Sequence, residues 1–206
     1  RARGEAAGPG RGERGLGVQR AGRAVVDGLV EQALAARDRT ALGERRHRRA
    51  RDEVVAELRR LAGAMATTKA ANLPLQREQI NELVKSTLSS AEDFIGAAVT
   101  WEPNALDGKD ADYAGKKPEY DDSGRFMPYW TRKAGGGFHV DPIVFDPTPG
   151  ANDWYDIPKK TSKVFFTEPY IYPIEGKDVL MASLVAPILV EGKFQGVASA
   201  DFALTQ

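Results

Sequence analysis

Residues 179–190, VLMASLVAPILV, and 193–204, KFQGVASADFAL, are two apolar runs of strand length separated only by Glu191-Gly192. A two-residue connection between such runs closes an antiparallel hairpin, so this pair is read as two adjacent strands. Val164 to Tyr172 reads as a third strand just before them. Further upstream, Phe94 to Trp101, Phe126 to Arg132 and Phe138 to Val144 are also extended in pattern. They are separated by a loop, Glu102 to Asp122, dense in Asp, Gly, Pro and Lys, and by a turn at Gly135-Gly136-Gly137. Asp153 to Lys160 is predicted as one or two turns of helix. Before Phe94 the period changes: Val54, Val55, Leu58, Leu61, Ala62 and Met65 recur at three- and four-residue steps, the spacing of an amphipathic helix. A second helix is predicted from Pro74 through Leu88, with Ile80, Leu83, Val84 and Leu88 on one face and a break at Lys69 to Leu73. Helices first and an antiparallel sheet afterwards is the segregated order of an α+β domain.

The 206 residues suffice for one good-sized core. The net charge is zero, but Arg1 to Asp52 carries 13 Arg against 7 acidic residues, so the balance is local rather than uniform. That first segment, residues 1–50, is built from Arg, Gly and Ala and has no aromatic residue, which leaves it little with which to build a core. It reads as a poorly ordered tail, a weak helix or sequence from outside the natural frame, with a basic arm for nucleic acid as the functional alternative. The reading adopted assigns no nucleic-acid partner. The domain organisation is then 1–50 as this segment and 51–206 as one module, with helices in 51–90 and the sheet in 93–206. The absence of cysteine removes disulfides and thiolate chemistry. No run approaches the length of a membrane span, and nothing resembles a signal peptide. The chain starts at Arg1 and stops just after a strand-like run, so it reads as a fragment of a larger protein.

Little in the sequence points to catalysis. His47 and His139 stand apart without ligand spacing, and no Gly-x-Ser-x-Gly elbow is present. The triple glycine is followed by Phe-His-Val-Asp rather than the Lys-Ser/Thr of a phosphate loop. Asp107, Asp110 and Asp112 lack the glycine and terminal glutamate of an EF-hand and read as a solvated loop. A glycosidase would need two carboxylates across a scissile bond, and no pair is singled out. No catalytic residue, metal or cofactor is assigned. More informative is that all three tryptophans and all six tyrosines lie between Trp101 and Tyr172, interleaved with Asp and Pro. Trp101 reads as core. In Tyr129-Trp130 and Trp154-Tyr155 the neighbours diverge, so one member of each pair is available to line a cavity. Aromatic faces with a carboxylate suit a cationic ligand.

Several runs in order resemble the membrane-distal module of double-Cache sensor domains of methyl-accepting chemotaxis proteins. They are Trp101-Glu102-Pro103-Asn104-Ala105-Leu106-Asp107-Gly108-Lys109-Asp110, Gly124-Arg125-Phe126-Met127-Pro128-Tyr129-Trp130, Asp153-Trp154-Tyr155, Glu168-Pro169-Tyr170, Gly176-Lys177-Asp178-Val179-Leu180-Met181, and Gly192-Lys193-Phe194-Gln195-Gly196-Val197 leading to Asp201. The resemblance covers about Val54 to the end. It implies a long helix leading into a PAS-like antiparallel sheet, the Cache fold, in the periplasmic part of a bacterial inner-membrane receptor that is not an enzyme. It also implies a homodimer in the intact receptor, with the membrane reached only through segments outside this chain. In amino-acid-binding relatives an Arg-x-Trp-Tyr run, a later Tyr and a late Asp form the site. Here Trp154, Tyr155, Tyr170 and Asp201 match, whereas Asn152 stands at the arginine position. The resemblance therefore implies an amine-type ligand held by Tyr129, Trp130, Asp153, Trp154, Tyr155, Tyr170, Tyr172 and Asp201, with amino acids as the alternative if Arg125 supplies a carboxylate clamp. A histidine kinase or diguanylate cyclase is the alternative to a chemotaxis output.

Overall fold

The computed structural model describes residues 41–204 apart from 91 and 93. The expectations for residues 1–40 lie outside the described residues. Two helices, α1 (Ala41–Ala70) and α2 (Arg77–Ser90), precede an antiparallel sheet. Its strands are β1 (Phe94–Trp101), β2 (Pro128–Arg132), β3 (Phe138–Pro142), β4 (Phe165–Phe166), β5 (Tyr170–Ile174), β6 (Lys177–Val190) and β7 (Lys193–Ala203). Two short helices, α3 (Asp110–Tyr113) and α4 (Asp153–Thr161), sit in the connections. The strand order is β3-β2-β1-β7-β6-β4, with β5 also paired to β6. This is the N-terminal helix on a curled antiparallel sheet that the α+β reading expects. No helix among the described residues is long and apolar enough to cross a membrane.

Alternation divides the sheet into two faces. On one face Val99 and Trp101 of β1, Trp130 of β2, Leu184, Ala186 and Ile188 of β6, and Ala198 and Ala200 of β7 pack against the helices. The helices contribute Leu58, Leu61 and Met65 from α1 and Ile80, Val84 and Leu88 from α2. Fully burying such aliphatic side chains stabilises the fold by about 1.5–3 kcal/mol each. On the other face lie Ala98, Met127, Tyr129, Ile143 and Met181, with Trp154, Tyr170 and Tyr172 against them. Ser183, Ser199 and Asp201, at the intervening positions of β6 and β7, are buried on this second face.

Several boundaries differ from the sequence reading. α1 begins at Ala41 rather than near 51, because its added residues are mostly Ala, Leu, Glu and Arg, which form helix readily whatever they pack on. It ends where Asn72 adopts a left-handed conformation, φ 54°. Pro74 lies in the extended link, and α2 starts at Arg77, whose side chain is anchored elsewhere. Leu83 is 47% exposed, at the margin of the apolar face rather than on it. The predicted strand Val164–Tyr172 is two strands, because Pro169 has no N–H to give to a ladder. Thr167 still exchanges bonds with Ser183, donating its N–H to the Ser183 carbonyl at 3.0 Å. The turn at Glu191-Gly192 has its twin at Glu175-Gly176, and in both turns the two residues have positive φ, as a type I′ hairpin needs.

Candidate ligand-binding site

Asp201 is placed by the hairpin: on β7 it stands opposite Gly96 of β1 on one side and Ser183 of β6 on the other. Its side chain is on the face away from α1 and α2, and the residue is 4% exposed. Ser183 Oγ donates to Asp201 Oδ1. Having spent its single proton there, Ser183 Oγ accepts from Tyr170 Oη, 2.6 Å away. Burial pushes the Asp201 carboxyl up to about 6, against the opposing effects of Ser183 and Tyr129. Among the residues lining its cavity there is no cation: they are Tyr129, Ile143, Trp154, Tyr170, Tyr172, Met181, Ser183 and Ser199.

The tyrosines close the cavity. Tyr129 and Tyr172 meet edge to face at 5.5 Å between centroids. Burial, reinforced by the Asp201 charge, raises the pKa of Tyr129 and of Tyr170, so both phenols are neutral. Burial also raises Tyr172, partly offset by a bond from the Val144 backbone. The Tyr129 hydroxyl is beside Asp201, yet it is buried without an aligned hydrogen-bond partner. It is one of four such side-chain atoms among the described residues, and the one of them that lies beside Asp201, close enough to lower that carboxyl's pKa. Trp154, on the first turn of α4, supplies the opposite wall.

Three of the residues proposed from sequence point elsewhere. Trp130 is one residue from Tyr129 and therefore on the helix face, where its Nε1 donates to Asn81 Oδ1 at 3.1 Å and Lys85 lies over its ring. Tyr155 is turned away from Asp201: its hydroxyl accepts from Arg125 at 2.7 Å and donates to Glu102. Burial alone would raise Glu102, but bonds from Tyr155 and Lys159 hold its pKa below the usual value. Asp153 is exposed at the start of α4 and is absent from the cavity wall. Arg125 donates to the Trp101 carbonyl and to Tyr155, outside the Asp201 cavity. Asn152 closes its own loop, exchanging bonds with the backbone of Asp146 at 2.6 and 3.1 Å. The sequence reading missed Ser183, Ser199 and Gly96. Their signal was present in the alternation of small residues along KFQGVASADFAL and its pairing partners.

A larger open groove, about 620 Å³, runs beside the cavity and shares Ile143 with it. Its wall includes Met127, Phe145, Arg125 and the loop around Asp110 and Asp121. The Asp110 carboxylate is already engaged there, by Arg77 at 2.7 Å and by the Asn104 N–H at 2.6 Å. Asp107 also binds Arg77, so two of the three aspartates expected in a solvated loop neutralise a buried guanidinium instead. Among the described residues no group of acidic, His or Cys side chains is disposed to hold a metal ion.

Comparison with known proteins agrees with this architecture. The chain is 30% identical over 139 residues to the methyl-accepting chemotaxis protein TlpQ of Pseudomonas aeruginosa, covering 63% of this chain and 20% of that protein. The extracellular domain of mmHK1S-Z2, a protein named as a histidine kinase, is 34% identical with a TM-score of 0.62, covering 75% of this chain and 54% of that one. The structure of methyl-accepting chemotaxis protein X has a TM-score of 0.64 at 20% identity, over 93% of this chain and 64% of that one, which bears on the fold alone. The chain thus spans a fifth of the length of TlpQ and over half of these solved domains. A family model described as methyl-accepting chemotaxis protein-like, first PDC sensor domain, matches residues 80–206. With well over half of its length inside that model, the chain belongs to the Cache-type sensor domains of the methyl-accepting chemotaxis protein-like family.

Proposed function

We propose that this module is the extracytoplasmic sensor of a bacterial membrane receptor and that it binds a small ligand through a positively charged nitrogen at Asp201. The observation that carries the reading is a buried carboxylate without a protein cation beside it, walled by Tyr129, Trp154, Tyr170 and Tyr172. Burying an ion without a partner is costly, and a cationic ligand removes that cost while its charge meets the aromatic faces. The Asp201 cavity offers a carboxylate no such anchor, since no cation lines it and Arg125 lies in the adjoining groove, giving Nε to Trp101 and Nη2 to Tyr155. One carboxylate in the cavity wall also fits binding better than glycoside hydrolysis, which uses two.

In the intact receptor, read as a homodimer in the bacterial inner membrane, occupancy signals by favouring one arrangement of sheet and helices over another. The output is a chemotaxis signalling domain, with a histidine kinase as the second reading because of the 34% identity to mmHK1S-Z2. We assign the module no catalytic role and no cofactor. The test is a thermal-shift and calorimetric screen of amines, amino acids and small carboxylates. The reading expects amines to stabilise the protein and Asp201→Asn to abolish the effect; stabilisation by simple carboxylates and not by amines overturns it.

A further inference from the structure

The end of the Tyr129 ring rests directly on the backbone of β1 at Gly96. A Cβ at that position would lie 2.4 Å from Tyr129 Oη and 2.6 and 2.7 Å from Cε2 and Cζ. Real contacts of this kind do not occur, so the ring occupies its place only because residue 96 has no side chain. Gly96 is also the cross-strand partner of Asp201. The glycine therefore seats the Tyr129 hydroxyl beside the carboxylate, and the ring cannot sink further because backbone lies beneath it. The opposite walls are equally committed. Tyr170 is bonded to Ser183, and Tyr172 is held by the Val144 backbone and by the edge of Tyr129.

The partly open cavity measures about 20 Å³, room for one water-sized group at its base. The Asp201 carboxylate faces it with Oδ1 taking the Ser183 hydroxyl, and the Tyr129 hydroxyl, buried beside Asp201 against Gly96, has no aligned partner. A primary ammonium is the size of a water and carries three N–H donors. Each N-methyl group replaces one donor with a volume that the cavity does not have.

We infer that Gly96 and Tyr129 make the Asp201 cavity a socket for an unsubstituted ammonium group, with the ligand tail leaving past Ile143 into the open groove, and that they exclude N-methylated nitrogens. This rests on the amine reading above and narrows it. Gly96 is a specificity-determining residue that acts through Tyr129 rather than by touching the ligand.

The experiment titrates the protein at pH 7.5 with butylamine, N-methylbutylamine, N,N-dimethylbutylamine and butyltrimethylammonium, by calorimetry and by thermal shift. Each crowded methyl is expected to weaken binding about tenfold, so affinity falls stepwise and the quaternary compound, which has no N–H left to give, does not bind. Equal binding of butyltrimethylammonium overturns the socket and leaves the amine reading standing. Binding by none of the four overturns both. Gly96→Ala, checked for native circular dichroism, is expected to lose butylamine binding, and wild-type affinity in this variant overturns the role of the glycine. Tyr129→Phe, which adds room and removes an acceptor, tests the same point without a steric insertion. It is expected to weaken butylamine about tenfold and to narrow the gap to N-methylbutylamine; an unchanged gap contradicts the proposal.

Discussion

Arg77, in the first turn of α2, reaches Asp110 at 2.7 Å with both side chains buried, joining the helix to the loop that borders the open groove. The guanidinium also binds Asp107 and the Gly124 carbonyl and stacks against Tyr113, Tyr120 and Phe126. Burial alone would lower its pKa, but the bonds to Asp107 and Asp110 raise it above the ordinary arginine value. Asp110→Ala removes a buried acceptor of both Arg77 and the Asn104 N–H but leaves the guanidinium paired with Asp107, so it is expected to destabilise the domain by about 2–3 kcal/mol. Asp107 is more exposed but binds the guanidinium through two bonds, and Asp107→Ala is expected to cost about 1–3 kcal/mol because Asp110 remains. The double variant strands the guanidinium and is expected to lose about 3–5 kcal/mol; urea denaturation measures all three, and a double loss no larger than either single one would show that the two carboxylates do not share Arg77.

Two glycines give opposite predictions. Gly124 has φ +66°, and a Cβ there would lie 1.9 Å from the Asp110 carbonyl oxygen. Gly124→Ala is expected to cost about 3 kcal/mol or more, since strain and a backbone collision add. Gly63, exposed within α1, has nothing within 4 Å of its notional Cβ. Gly63→Ala is expected to stabilise by about 0.5–1 kcal/mol. Thermal unfolding of the pair checks the contrast.

The Asp201 carboxyl titrates near 6 in the fold and near 3.8 when unfolded. A raised carboxyl pKa means that the folded state holds the proton more tightly. Its stabilising effect is therefore fully present below about 3.8 and is lost as pH rises through about 6, with a span on the order of 3 kcal/mol. Comparing wild type with Asp201→Asn isolates this site: the difference in stability between them is expected to grow, in favour of the variant, from pH 4 to pH 7.5. A difference that does not change with pH contradicts the assignment.

The proposed amine binding is expected to have the reverse dependence, because a cation would bind the ionised carboxylate. Affinity is expected to be flat above about pH 7 and to fall towards tenfold per pH unit below about 6. Calorimetric titrations between pH 5 and pH 8 test this, and affinity independent of pH over that range would separate the amine from Asp201.

Tyr155 and Trp130 carry a prediction about what the site excludes. Tyr155→Phe removes the bridge between Arg125 and Glu102, and Trp130→Phe removes the bond to Asn81. Each is expected to destabilise by about 1–3 kcal/mol while leaving amine affinity within twofold. A large loss of affinity in either, with stability intact, would return that residue to the binding site.

The hairpin of β6 and β7 and the helix periodicity of α1 were legible in sequence, since alternation and three-to-four spacing are local properties of the chain. The late aspartate and its aromatic partners Trp154, Tyr170 and Tyr172 were named from a resemblance, and geometry brings them together. Trp130 shows where residue lists fall short: alternation says that neighbours on a strand diverge without saying which of them faces the cavity. Arg77 was invisible because its partners are thirty residues away in a loop that reads as solvated. Gly96 and Ser183 were passed over because small residues carry no chemical signature until the strands opposite them are known.

Tyr129 and Trp130 are consecutive in β2, yet one rests against Asp201's surroundings and the other lies under α2. Only a single peptide unit separates the residue lining the Asp201 cavity from the one packed against the helix. Under the proposed reading, a displacement of β2 from the Tyr129 side is expected to reach the helix through one side-chain link, Trp130 to Asn81. β2 is thus a partition one strand thick, and its stiffness is that of the backbone ladder joining it to β1 and β3.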